Sequence, residues 1–253
     1  MENSRFLKCL AADYDLLREA AAAAGPGAAV PSCPGWIVTD LVGHVAEVYL
    51  HKTAAMRLND WPSPWPPDLS GEEPLAVLGG AYAGLTAEFA GRQPGSPART
   101  WHEPDQTVSF WIRRMAQETV IHRIDAQLAA GVPPAPVPED LAVDGVDEVL
   151  RLFLAYGSQV WPEEFAQVED HLATADGKDR ITVIAGQAAW TVRPSPPQVI
   201  VDGGADDGAV AVIDAAPDAM LRWLWGRAAD GEIVVTGDAS WAGYLRRLLA
   251  AVT

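Results

Sequence analysis

Trp111-Ile112-Arg113-Arg114-Met115-Ala116-Gln117-Glu118-Thr119-Val120-Ile121-His122-Arg123-Ile124-Asp125 is the stretch that decides how this chain folds. At helical pitch, Trp111, Met115, Glu118, His122, Asp125 and Ala129 recur in alternate steps of four and three, the stripe of a core-facing helix. Glu118 and His122 interrupt that stripe one turn apart, a spacing that lets a carboxylate and an imidazole chelate one ion. An isolated pair of this kind also occurs as a plain hydrogen-bonded pair. A third group comes from a separate apolar stripe, where His44 recurs with Leu41, Val45 and Val48. In a helical bundle such groups point inward to a shared ion, and an unpaired buried carboxylate would be costly. His51 competes with His44 for the role but lies about 10 Å further along its helix. Two nitrogens on one zinc sit only about 3 to 4 Å apart, so His51 is left as a pocket-lining base or a surface residue.

Working outward, four helices are expected in the front of the chain. They run from about Asn3 to Ala24, Thr39 to Asn59, Glu72 to Gly91 and Gln106 to Ala130, with Gly25-Pro26-Gly27 and the proline-rich 133–138 stretch as breakers. Trp61-Pro62-Ser63-Pro64-Trp65-Pro66-Pro67 cannot be helical and reads as a long loop with two tryptophans. A fifth helix is expected from about Glu139 to Trp161. Beyond residue 165 the period shortens to two. Ile181–Ala185, Ala189–Val192, Val199–Val201, Ala209–Ile213 and Glu232–Val235 read as strands, with helices at about Pro217–Ala229 and Trp241–Ala251. The expected fold class is therefore α+β: a helical domain over 1–165, carrying a four-helix bundle, and a smaller α+β domain over 166–253.

Composition limits the partners. The 253 residues include 34 acidic and 18 basic side chains, a formal charge of −16 that would repel nucleic acid and anionic lipid. No run of about 18 apolar residues occurs, and the N-terminal stretch does not read as a signal peptide, so a cytoplasmic protein with small-molecule partners is expected. Cys9 and Cys33 lack any disulfide framework, and in its Pro-Ser-Cys-Pro-Gly turn Cys33 reads as structural.

Trp36-Ile37-Val38-Thr39-Asp40-Leu41-Val42-Gly43-His44, after Cys33-Pro34-Gly35, resembles the first signature of the mycothiol-dependent maleylpyruvate isomerase family, related to the DinB-like metal-binding bundles. Glu118-Thr119-Val120-Ile121-His122-Arg123-Ile124-Asp125 resembles its second. Leu221–Arg227 with Gly237-Asp238 is similar to the family's C-terminal domain. The resemblance implies a divalent metal, typically zinc, held by His44, Glu118 and His122. It also implies a fourth coordination position for the thiolate of mycothiol, the low-molecular-weight thiol of actinobacteria. A thiolate so activated can add to an activated double bond and isomerise it, or displace a leaving group as an S-transferase in detoxification. A non-catalytic metal- or ligand-binding regulatory protein is the reading from another class.

Asp125 is placed to fix the His122 ring, and Asp40 to do the same for His44 or to cap its helix. Arg227 is a catalytic candidate by resemblance, as a cation for a carboxylate substrate, or else a surface arginine at a helix C-terminus. Trp61, Trp65 and Trp111 are pocket candidates. Two positions depart from the family. Ile37 replaces a capping Ser or Thr, leaving Thr39 as the expected cap, and Ile124 replaces a tryptophan, which is expected to alter the pocket lining.

Overall fold

The computed structural model describes residues 1–166, 168, 179–195 and 198–252. It forms two compact units, Met1–Ala135 and Pro136–Thr253. The boundary expected near 165 thus falls inside the second unit. The fifth helix packs its apolar face on a helix of the α+β unit, and the proline-rich 133–138 stretch is where the chain divides.

The first unit consists of α1 (Asn3–Ala24), α2 (Val38–Leu58), α3 (Pro74–Gly91) and α4 (Val108–Ala129). The order is not a simple up-and-down meander. Ser109 donates to Asn3 and Arg123 pairs with Asp13, so α4 runs parallel to α1. Tyr49 lies against Tyr82 and Arg57 pairs with Glu88, so α2 and α3 are also parallel. That arrangement requires a connection as long as a helix. The 59–73 segment, whose prolines exclude helix, provides it, with cis peptide bonds before Pro64 and Pro66.

The helix ends are set by side chains. Glu73 accepts from the Ala76 amide at 2.8 Å, with Pro74 in the first helical turn. Thr107 caps α4 by accepting from Phe110. At α2 the expected cap is corrected: the Thr39 hydroxyl donates back to the Pro26 carbonyl, and Asp40 accepts from the Ile37 amide at 2.9 Å. Ile37 itself has no side-chain acceptor to offer.

α4 is the central helix. From Phe110 to Gln127 all but Arg113 and Glu118 are buried, because α1 covers one flank and α2 another. An apolar stripe with one solvated face would leave half of it exposed. Tyr49 donates to the Thr119 hydroxyl, which donates to the Met115 carbonyl, joining α2 to α4 through a dry chain.

In the second unit α5 (Glu139–Glu148) continues through a π-helical stretch, Val149–Tyr156, into α6 (Gly157–Val160), followed by α7 (Pro162–Ala166). A five-stranded sheet, in the order β3-β2-β1-β4-β5, comprises β1 (Ile181–Ala185), β2 (Ala188–Ser195), β3 (Gln198–Gly203), β4 (Ala211–Ala215) and β5 (Val234–Gly237). β1 pairs parallel with β4 and antiparallel with β2. Two helices complete it. α8 (Pro217–Leu224) ends sooner than expected, at Gly226 with φ +77°, and α9 spans Ser240–Ala250. No helix among the described residues is long and apolar enough to cross a membrane.

Candidate metal centre

His44 from α2 and Glu118 and His122 from α4 come together inside the first unit. Each contributes one ligand atom, and the three atoms lie within 4.8 Å of one another. His44 Nε2 and His122 Nε2 each stand 3.2 Å from the same oxygen, Glu118 Oε1. Two ligands on zinc at about 2.1 Å with tetrahedral angles are about 3.4 Å apart, close to the separation of each histidine nitrogen from Glu118 Oε1. The side chain of His44 is 39% exposed, whereas those of Glu118 and His122 are 13% and 11% exposed. The arrangement therefore has an open side at His44, where Trp36 also lies, 5.2 Å away between ring centroids.

The surroundings fix each member. Asp125, fully buried, takes the His122 Nδ1 at 2.9 Å and leaves Nε2 directed at Glu118. The Ser32 hydroxyl donates to the other Asp125 oxygen at 2.5 Å, and the Cys33 thiol lies 3.6 Å from Asp125 Oδ2. The turn preceding α2 thus holds the carboxylate that holds the histidine. Cys33 is placed here as a supporting group. Arg114, one turn before Glu118, pairs with Glu118 Oε2 and leaves Oε1 to the two imidazoles.

Burial alone would raise the Glu118 carboxyl, but Arg114, His122 and the histidine hydrogen bonds hold it well below the usual carboxylate range. Burial alone would also lower His122. Glu118 and Asp125 outweigh it and push the imidazolium up to about 9.

This has a measurable consequence for the metal-free chain. A folded pKa of about 9, above the ordinary value near 6.5, stabilises the fold fully below about pH 6.5 and loses that contribution as pH rises through 9. The melting temperature of metal-free protein is expected to fall across that window, and the fall to disappear in His122→Gln. A flat melting profile from pH 6.5 to 9 would disprove the charged His122–Glu118 pair.

The other candidates are placed as follows. His51 is half-buried beneath Trp61 and Trp65, with ring centroids 5.4 and 4.8 Å away, so it is neither a ligand nor a bare surface residue. Asp40 caps α2. Ile124 is fully buried, which makes it a core residue rather than pocket lining. Arg123, also fully buried, points to α1. Arg227 belongs to the second unit and donates to the Trp225 carbonyl. His102 packs on Phe110, and His171 lies outside the described residues. Sequence reasoning missed Arg114, Ser32 and Lys52. For Arg114 the signal was present, as an arginine four residues before Glu118 on one helix.

The fold and site define a class of protein: a four-helix bundle with a His–Glu–His donor set, followed by an α+β unit. Residues 7–127 match the family model described as the mycothiol maleylpyruvate isomerase N-terminal domain. The match lies within the first compact unit. Among solved structures it resembles the crystal structure of the mycothiol-dependent maleylpyruvate isomerase, with a TM-score of 0.62 and 12% identity, covering 94% of this chain and 95% of that one. A histidine-to-alanine mutant of that isomerase matches with a TM-score of 0.61, at the same identity and coverage. No curated protein matches by sequence.

Proposed function

We propose that the chain is a metal-dependent enzyme that uses mycothiol to isomerise a small electrophilic substrate, as the name of its structural relative describes for that protein. The observation that supports this reading is the convergence of both histidine Nε2 atoms on one oxygen of Glu118, with the exposed edge at His44. His44, Glu118 and His122 would hold the ion. Zinc in such a set supplies Lewis acidity and lowers the pKa of a thiol from about 8.5 into the neutral range.

The protein's own groups do the rest. Asp125 and Ser32 keep His122 in one tautomer, and Arg114 neutralises the carboxylate oxygen that faces away from the imidazoles. Arg227 enters the proposal as a catalytic residue on the family resemblance.

Cobalt-loaded protein tests the reading. Addition of mycothiol is expected to give an intense sulfur-to-cobalt absorption band that is lost in His44→Ala. An unchanged spectrum, with thiol binding still measurable by calorimetry, would sink the proposal. Turnover then sorts the chemistry. Conversion of maleylpyruvate with mycothiol regenerated marks an isomerase, a stable thiol conjugate marks an S-transferase, and binding without turnover marks a binding protein.

A further inference from the structure

Two helical turns from the ligand trio, in the same bundle, lies a second polar cluster that the proposed chemistry does not use. α2 and α4 run antiparallel here, since His44 faces Glu118 while Lys52, later on α2, faces Trp111, earlier on α4. Seven residues of α4 separate Trp111 from Glu118, a distance of about 10 Å along the helix. The Lys52 ammonium lies 5.0 Å from the centroid of the Trp111 ring and 3.2 Å from His51 Nδ1. A lysine can only donate, so His51 Nδ1 is the acceptor. Trp61, tilted, and Trp65, edge-on, flank that imidazole, and the Arg99 guanidinium lies 5.4 Å from the Trp61 ring centroid.

What the cluster lacks is an acid. This chain carries 34 acidic residues against 18 basic ones. Even so, among the described residues neither Lys52 nor Arg99 has a carboxylate within ion-pair distance. Lys52 is half-buried, and among the described residues its hydrogen-bond partner is a neutral ring. Burial, with the Lys52 charge adding to it, pushes His51 down to about 4, so the imidazole offers no negative charge and adds no positive one at neutral pH. Burial also lowers Lys52, to about 8, with Glu118 opposing and Arg114 reinforcing the shift, which leaves it mostly protonated at pH 7. A half-buried cation held against aromatic faces, with no carboxylate in contact among the described residues, is suited to a ligand that brings a negative charge of its own.

We propose that Lys52, backed by the His51 ring and the Trp111 face, is an anion-recognition residue that takes a carboxylate carried by the small substrate, about two helical turns from its reacting end. The assignment rests on the proposed function for the word substrate, but not for the anion site itself. It names a substrate class: small extended molecules with a carboxylate at the end remote from the electrophilic carbon.

Glutarate serves as the probe, titrated into zinc-loaded, full-length protein and followed by calorimetry and tryptophan fluorescence. Binding in about the millimolar range is expected, with none for the neutral diamide, glutaramide. Lys52→Met should weaken glutarate binding at least tenfold or so, whereas Lys52→Arg, which keeps the charge, should hold within about threefold. Arg193→Met, which removes a charge of the second unit already paired with Asp202, should change nothing. Glutarate affinity indifferent to Lys52→Met, or equal binding of glutaramide, or no glutarate binding at all, would overturn the anion site. If Lys52→Met does not fold, the contrast between glutarate and glutaramide on the unmodified chain decides. His44→Ala separates the two readings. Loss of thiol binding there with glutarate binding intact supports both readings, thiol binding retained there overturns the thiol chemistry and leaves the anion site standing, and glutarate binding lost there places the carboxylate at the His44 cluster and overturns the anion site.

Discussion

Replacing Glu118 with glutamine is expected to lower zinc affinity by more than about a hundredfold, because it takes the negative charge from the one oxygen shared by both imidazoles. Groups that only orient a ligand typically contribute 10- to 100-fold, and the loss of a charged ligand should exceed that range. Asp125→Asn is expected to fall inside it, since His122 keeps its coordinating nitrogen but loses the carboxylate that fixes its ring. Metal competition with a chromophoric chelator measures both. If Glu118→Gln binds zinc as well as the unmodified chain, the donor set is wrong. If Asp125→Asn loses as much as Glu118→Gln, then Asp125 is itself a ligand.

The largest expected effect on stability lies away from the site, at the ion pair between Asp13 on α1 and Arg123 on α4, 3.0 Å apart in the core. Breaking one partner of a buried pair typically costs about 3–5 kcal/mol, because the other charge stays in a dry environment. The two partners are not equivalent. Burial already raises the Asp13 carboxyl, against the pull of Arg123, so an abandoned aspartate can take up a proton. A guanidinium cannot shed one. Asp13→Leu should therefore cost more at pH 7 than Arg123→Met, and the deficit of Arg123→Met should shrink as the pH is lowered. Urea unfolding at pH 7 and pH 5 gives both numbers. Equal costs with no pH dependence would mean that the pair is solvated.

How much of this could be read from sequence varies with the range of the interaction. The four front helices were visible because their signals are local: a 3.6-residue period, Gly25-Pro26-Gly27 at one end and prolines at others. The ligand trio was within reach because Glu118 and His122 share one helix face and His44 stands on an apolar stripe where an unpartnered imidazole has no purpose. What escaped depends on which surfaces meet. Nothing near Glu139 says that its helix packs on α8, within the second compact unit. The parallel course of α2 and α3 is a consequence of the length of the 59–73 segment, not of its composition. Lys52 gave no signal, because its significance is the absence of an acid nearby. The Thr39 cap failed for a local reason of the opposite kind: its hydroxyl found the Pro26 carbonyl first.

The central position of α4 also restricts how such a protein can diversify. Its successive residues serve opposite flanks, with Glu118, His122 and Asp125 turned to the ligand cluster and Arg123 and Gln127 turned to α1 and the Ala135 backbone. A substitution that reshapes the pocket from this helix disturbs packing on both sides at once. New substrates are therefore more readily acquired through the 59–73 crossover, whose tryptophans flank His51 while most of its residues face solvent. Descendants of this scaffold would keep His44, Glu118 and His122 and change the visitor by rewriting that one segment.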